Sequence, residues 1–275
     1  MMDRENRIET RLAERVSGAC GAFLPYLTAG FPDVDATVAL IRHADSLGAA
    51  VVELGFPFSD SIADGPVIQD SFHYVLETGH KLADTFRLVS EVRKSVACGL
   101  VAMVSFSIVH RFGVDAFFAR SAAVGFDGVI LPDVPVEESC ETAAAVRRAG
   151  LCHIGLVAPT TSPERRAAIA GNSSGFVYQI AVAGTTGERA RLADELPQSV
   201  AELRRVSGLP VCVGFGVSSA DHVRQVCRYA DGAIVGSAII RRIEDALRAG
   251  LPGDELIRNV AGFLDELAAG LVDES

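Results

Sequence analysis

Glu53 follows directly on the apolar run AAVV and opens the stretch ELGFPFSDSIADGP, which also contains Asp64. An unpaired carboxylate in a strand buried on both faces costs several kcal/mol, so such a position marks chemistry. Two carboxylates whose surroundings separate their pKa values can divide general-acid and general-base work. Structural roles compete with this reading: a buried ion pair with an arginine for Glu53, and ordinary turn chemistry in ADGP for Asp64. Tyr26 and Tyr178 offer phenols, which serve either as core aromatics with a bonded hydroxyl or as pocket groups. Glycines in GTTG (184–187), GFG (214–216) and GS (236–237) let backbone N–H groups approach an anion, while tight turns are the alternative use of the same residues.

The residues that are absent narrow the chemistry further. Lys81 and Lys94 are the only lysines, and both fall in the helical stretch between the second and third strands, so no barrel strand carries a Schiff-base lysine. The six histidines show neither H-x-H nor HExxH spacing, which gives metal-assisted chemistry little support. Acid/base chemistry on a phosphorylated substrate is left, with no cofactor and no metal site expected.

The elements that must position these groups alternate between short apolar runs and longer segments of helical period. Eight strands are predicted, at 21–30, 49–57, 99–106, 128–135, 152–159, 175–182, 210–217 and 232–240. Helical stretches such as DVDATVALIRHADSLG, SPERRAAIAGN, PQSVAELRRVSG and SADHVRQVCRYA lie between strands. Eight such units spell a single-domain α/β fold, a (β/α)8 TIM barrel over 1–275, with an N-terminal helix and closing helices after residue 240. A doubly wound sheet would need a glycine-rich fingerprint after the first strand, where this chain has TAGFPD. In a barrel, Glu53, Asp64, Asp133, Tyr178 and the glycine loops all fall toward the carboxyl ends of the strands, where such enzymes work.

The chain has 275 residues, 49% of them hydrophobic, and a formal charge of −10. That charge argues against sequence-independent binding to nucleic acid or anionic membranes, so a small anionic ligand must be held by local dipoles. Six scattered cysteines without a CxxC pair fit a reducing compartment, and neither a secretory signal nor a membrane-spanning run is visible. A cytoplasmic location is expected.

The motifs LPYLTAGFPD (24–33), ELGFPFSDSIADGP (53–66), LPDVPVEES (131–139), LVAPTTSPER (156–165), VGFGVSS (213–219) and DGAIVGSAII (231–240) resemble the tryptophan synthase alpha subunit family, in order across nearly the whole barrel. The resemblance implies cofactor-free retro-aldol cleavage of indole-3-glycerol phosphate to indole and glyceraldehyde 3-phosphate. It implies that Glu53 shuttles protons at indole C3 and the side-chain hydroxyl, and that Asp64 faces the indole N–H. It further implies substrate contacts from Tyr178, Thr186, Gly187, Phe215, Gly216, Gly236 and Ser237, and from Tyr26, which stands where the family commonly has Phe.

The chain departs from the family pattern at three places, two of which bear on the family's partner, the beta subunit. Ser61 replaces a proline in SDSIADGP, Ser107 and Ile108 replace the usual Asn and Pro after the third strand, and AVAGTTG replaces S-x-x-GVTG. In the family the first two loops touch the beta subunit. The expectation is therefore a synthase alpha subunit, with a free-standing lyase that makes indole for another pathway, or a non-catalytic regulatory barrel, as alternatives.

Overall fold

A computed structural model describes residues 6–17, 21–181, 186–214 and 216–271, with backbone alone for 186–194. Strands β1 (Ala22–Thr28), β2 (Val51–Gly55), β3 (Gly99–Met103), β4 (Gly128–Ile130), β5 (Cys152–Val157), β6 (Val177–Ile180), β7 (Val211–Gly214) and β8 (Gly232–Val235) pair in chain order, all parallel, and β8 returns to β1 to close the barrel. The helices are α1 (Arg7–Ser17), α2 (Val34–Ser46), α3 (Pro66–Glu77), α4 (Leu82–Val92), α5 (Phe106–Phe112), α6 (Val114–Val124), α7 (Ser139–Arg148), α8 (Pro163–Asn172), α9 (Thr186–Ser207), α10 (Ala220–Cys227), α11 (Ser237–Arg248) and α12 (Gly253–Ala268). Side-chain oxygens of Asp33, Ser162 and Ser219 accept from first-turn N–H groups and so start α2, α8 and α10.

Two apolar layers hold this arrangement. Leu24, Val101, Ile130, Ile154 and Ile234 fill the barrel interior, and Ile8 and Leu12 of α1 plug its amino-terminal end. Outside the strands, Phe56, Phe86, Phe117 and Phe126 form a cluster with ring centroids 5.6–5.9 Å apart, which anchors the root of the β2–α3 loop.

Several expected boundaries shift. The run 232–240 divides, with β8 ending at Val235 and α11 starting at Ser237, because Ile239, Ile240 and Ile243 recur at helical spacing and are all buried. The fourth strand ends at Ile130, short of Asp133 and of Pro132 and Pro135, which have no N–H for a ladder. The third ends at Met103, since Ser105 caps α5 by accepting from the Ser107 N–H. The helix expected from Pro197 already begins at Thr186, with Pro197 inside it.

At the amino-terminal end of the barrel, Asp127 binds Arg93 at 2.9 Å and Arg7 at 3.0 Å and accepts the Leu100 N–H at 2.9 Å. Arg93 also donates to the carbonyls of Val96 and Cys98. The Asp127 and Arg93 side chains are 7% and 10% exposed, so removing one partner strands a buried charge. Asp127→Asn is expected to cost about 3 kcal/mol in urea denaturation. Arg7→Ala, which removes a partner 30% exposed, should cost about 1 kcal/mol.

Candidate active site

The β1–β2 register sets Tyr26 directly beside Glu53. In a parallel pair, neighbours at one level point to the same side, so both enter the barrel interior. Glu53 is 1% exposed and its Oε1 has no hydrogen-bond partner. No cation among the described residues pairs with it, so the ion-pair reading of this carboxylate fails. Burial alone pushes its pKa from 4.5 up to about 8.

Asp64 reaches the same cavity from the β2–α3 loop. Burial raises its pKa to about 6, and the negative charge of Asp133 adds to the rise. Asp133 itself holds the start of α5, accepting the Ser105 hydroxyl at 2.6 Å and the Phe106 N–H at 2.9 Å. The loop bearing Asp64 is clamped by Gln69, whose Nε2 donates to the carbonyls of Ser61 at 2.8 Å and Asp64 at 2.9 Å. Sequence reasoning missed Gln69, which carries no signal beyond its place four residues after Gly65.

Each of the two tyrosines leans over a glycine of the next strand. A Cβ at Gly55 would lie 1.9 Å from the Tyr26 hydroxyl, and one at Gly214 would lie 2.2 Å from the Tyr178 hydroxyl. Only glycine leaves room for both rings. Burial holds both phenols well above their usual pKa, with Glu53 and Asp64 adding to the shift of each.

Tyr26, Glu53, Asp64 and Tyr178 line a cavity of about 300 Å³ together with Gly216, Gly236, Ser237 and Arg241. Gly236 precedes α11 and has no side chain to cap it, so the first N–H groups of that helix are open toward an anion. Arg241, one turn into α11, is a cation that sequence reasoning overlooked. Its signal was a basic residue within a turn of the GS motif. Thr186 and Gly187 open α9, but their side chains lie outside the described residues, as does Phe215 altogether. A larger cavity of about 640 Å³ lies beside this one along β4 and β5, but among the described residues Asp133 is the only acid lining it and is committed to α5.

A parallel barrel with two acids in one cavity and helix N–H groups open on its carboxyl-terminal face has the layout of barrel enzymes that act on phosphorylated small molecules. Residues 12–261 match the family model for the tryptophan synthase alpha chain. Tryptophan synthase alpha chains of Rhodopirellula baltica and Chloroflexus aurantiacus are 43% and 39% identical, over 82% and 91% of this chain and 82% and 92% of their own. The subunit alpha structure from Legionella pneumophila superposes with a TM-score of 0.86 at 33% identity, covering 98% of this chain and 99% of that one. Tryptophan synthase from M. tuberculosis in its aminoacrylate-bound form gives 0.84 at 33%, covering 98% and 100%.

The chain belongs to the tryptophan synthase alpha chain family. It is a carbon–carbon lyase acting on indole-3-glycerol phosphate in L-tryptophan biosynthesis. Among the described residues, no helix is long and apolar enough to cross a membrane.

The elevated pKa of Glu53 makes stability depend on pH. The folded protein keeps this proton up to about pH 8, while the unfolded chain releases it near 4.5, so the stabilisation present at low pH is lost as pH rises between those values. Glu53→Gln is therefore expected to be more stable than the parent at pH 8.5, by about 4 kcal/mol, with the difference shrinking toward pH 5. Urea denaturation at the two pH values checks this.

Proposed function

We propose that the cavity binds indole-3-glycerol phosphate with the phosphate at Gly216, Gly236 and Ser237 and the ring beside Tyr178. Arg241 adds the positive charge that a dianion favours in a chain of net charge −10. The resemblance to the family also assigns substrate contacts to Thr186, Gly187 and Phe215. The single observation that carries the residue roles is Glu53 Oε1, buried without a hydrogen-bond partner in the cavity that Asp64 also lines; burial raises both carboxyls, Glu53 further than Asp64.

Glu53 delivers its proton to indole C3, which places positive charge on the ring nitrogen. Ionised Asp64 accepts the indole N–H and stabilises that cation. Glu53, now a carboxylate, removes the proton of the side-chain hydroxyl. The C–C bond breaks, its electron pair returns to the ring, and the aldehyde carbonyl forms. The purified chain should release indole from the substrate, and Glu53→Gln and Asp64→Asn should each lose about 10²- to 10⁴-fold in kcat. Turnover by both variants within a few-fold of the parent would sink these assignments. The kcat/KM profile should be bell-shaped, with limbs near pH 6 and pH 8, since it reports the free enzyme's acid and base.

The partner we assign is the tryptophan synthase beta subunit, docking on the β2–α3 loop and the start of α5. Ile62, at the tip of that loop two residues before Asp64, is 89% exposed. The internal clamp by Gln69 favours a second reading, in which the loop is held ready without help. Titration with the beta subunit of the same organism separates the two. Docking predicts a stable complex and a 5- to 150-fold rise in turnover, corresponding to about 1–3 kcal/mol of coupling, whereas a free-standing lyase shows neither.

A further inference from the structure

Two polar atoms in the catalytic cavity, the Tyr26 hydroxyl and Glu53 Oε1, are buried and unpartnered. They belong to side chains at the same level of neighbouring strands. The phenol occupies the space above Gly55, two positions beyond Glu53 on the same strand face, so its oxygen stands between Glu53 and the barrel mouth. The Thr28 side chain lies near enough to favour the ionised phenol, but no hydrogen bond of good geometry reaches the Tyr26 oxygen. A buried hydroxyl without a partner costs free energy that an apolar ring would avoid.

One ligand group that accepts from the phenol and donates to the carboxylate satisfies both orphan atoms, and a hydroxyl does this. We propose that the Tyr26 hydroxyl is a catalytic hydrogen-bond donor to the substrate hydroxyl that Glu53 deprotonates. This rests on the reading given above for the site. During cleavage the hydroxyl proton passes to Glu53, the C–C electron pair returns to the indole, and the oxygen becomes the aldehyde carbonyl. Tyr26 keeps its proton throughout and stabilises the negative charge that develops on that oxygen. Burial, together with the neighbouring acids Asp64 and Glu53, keeps the phenol in the donor form this requires.

Tyr26→Phe keeps the ring and its seat over Gly55 and removes only the donor. The expected result is a fall in kcat/KM of about 10- to 100-fold. A second arm measures binding by calorimetry in the Asp64→Asn background, comparing indole-3-glycerol phosphate with an analogue lacking the hydroxyl on the carbon attached to indole C3. Tyr26→Phe should weaken the first by about 3- to 10-fold and leave the second within twofold. The thermal midpoint of the free protein should be unchanged or raised, because the hydroxyl has no partner there. Equal weakening of both ligands, an unchanged kcat/KM, or a lowered midpoint would each overturn the proposal. If the parent chain did not cleave the substrate at all, the site reading itself would fall and take this inference with it.

Discussion

Burying one carboxylate without a counter-charge is the constraint around which the rest of this barrel is arranged. Glu53 sits in the middle of a five-residue strand, with apolar neighbours before and after it. A lone ionised group there would be very costly, so the group keeps its proton and remains an acid at neutral pH. An arginine within reach would lower the cost and favour the ionised form. Tyr26 on the neighbouring strand and Tyr178 on β6 share the cavity with Glu53, and the glycines beneath their hydroxyls make that seating sterically feasible.

The two ends of the barrel divide stability from chemistry. At the amino-terminal end, the buried charges are paired: Asp127 and Arg93 exchange charge-assisted bonds with each other and with the backbone, and α1 covers the interior. At the carboxyl-terminal end, unpartnered atoms and helix N–H groups face a cavity. Such an end is stable only because the rest of the fold is well paired and densely packed. Asp64 occupies an intermediate place. Its loop is rooted in the phenylalanine cluster through Phe56 and clamped by Gln69, yet its tip is exposed.

Much of this was legible in the sequence. Parallel strands buried on both faces write themselves as short apolar runs, and the βα alternation is periodic, so the eight strands, their order and the barrel follow from pattern alone. A carboxylate such as Glu53 after AAVV is conspicuous for the same reason, and the glycines of the later loops announce close approach by a ligand. Element ends were less legible. The run 232–240 has too few residues to distinguish a strand from a strand followed by a helix, and only packing of Ile239, Ile240 and Ile243 against the barrel decides it.

The tertiary structure alone decided which groups share a site and in what state. Tyr26, Glu53, Gly55, Gly214 and Arg241 lie far apart in the chain or at unremarked positions, and their meeting depends on strand register and barrel tilt, which have no local signature. Asp133 reads like a site acid in the sequence, but the fold commits it to the start of α5. Gln69 reads as an ordinary helix residue, but the fold turns its amide onto the Asp64 loop. Protonation follows the same rule. Residue type sets where a carboxyl ordinarily titrates, while the shift that makes Glu53 an acid at neutral pH comes from exclusion of water by neighbours distant in sequence.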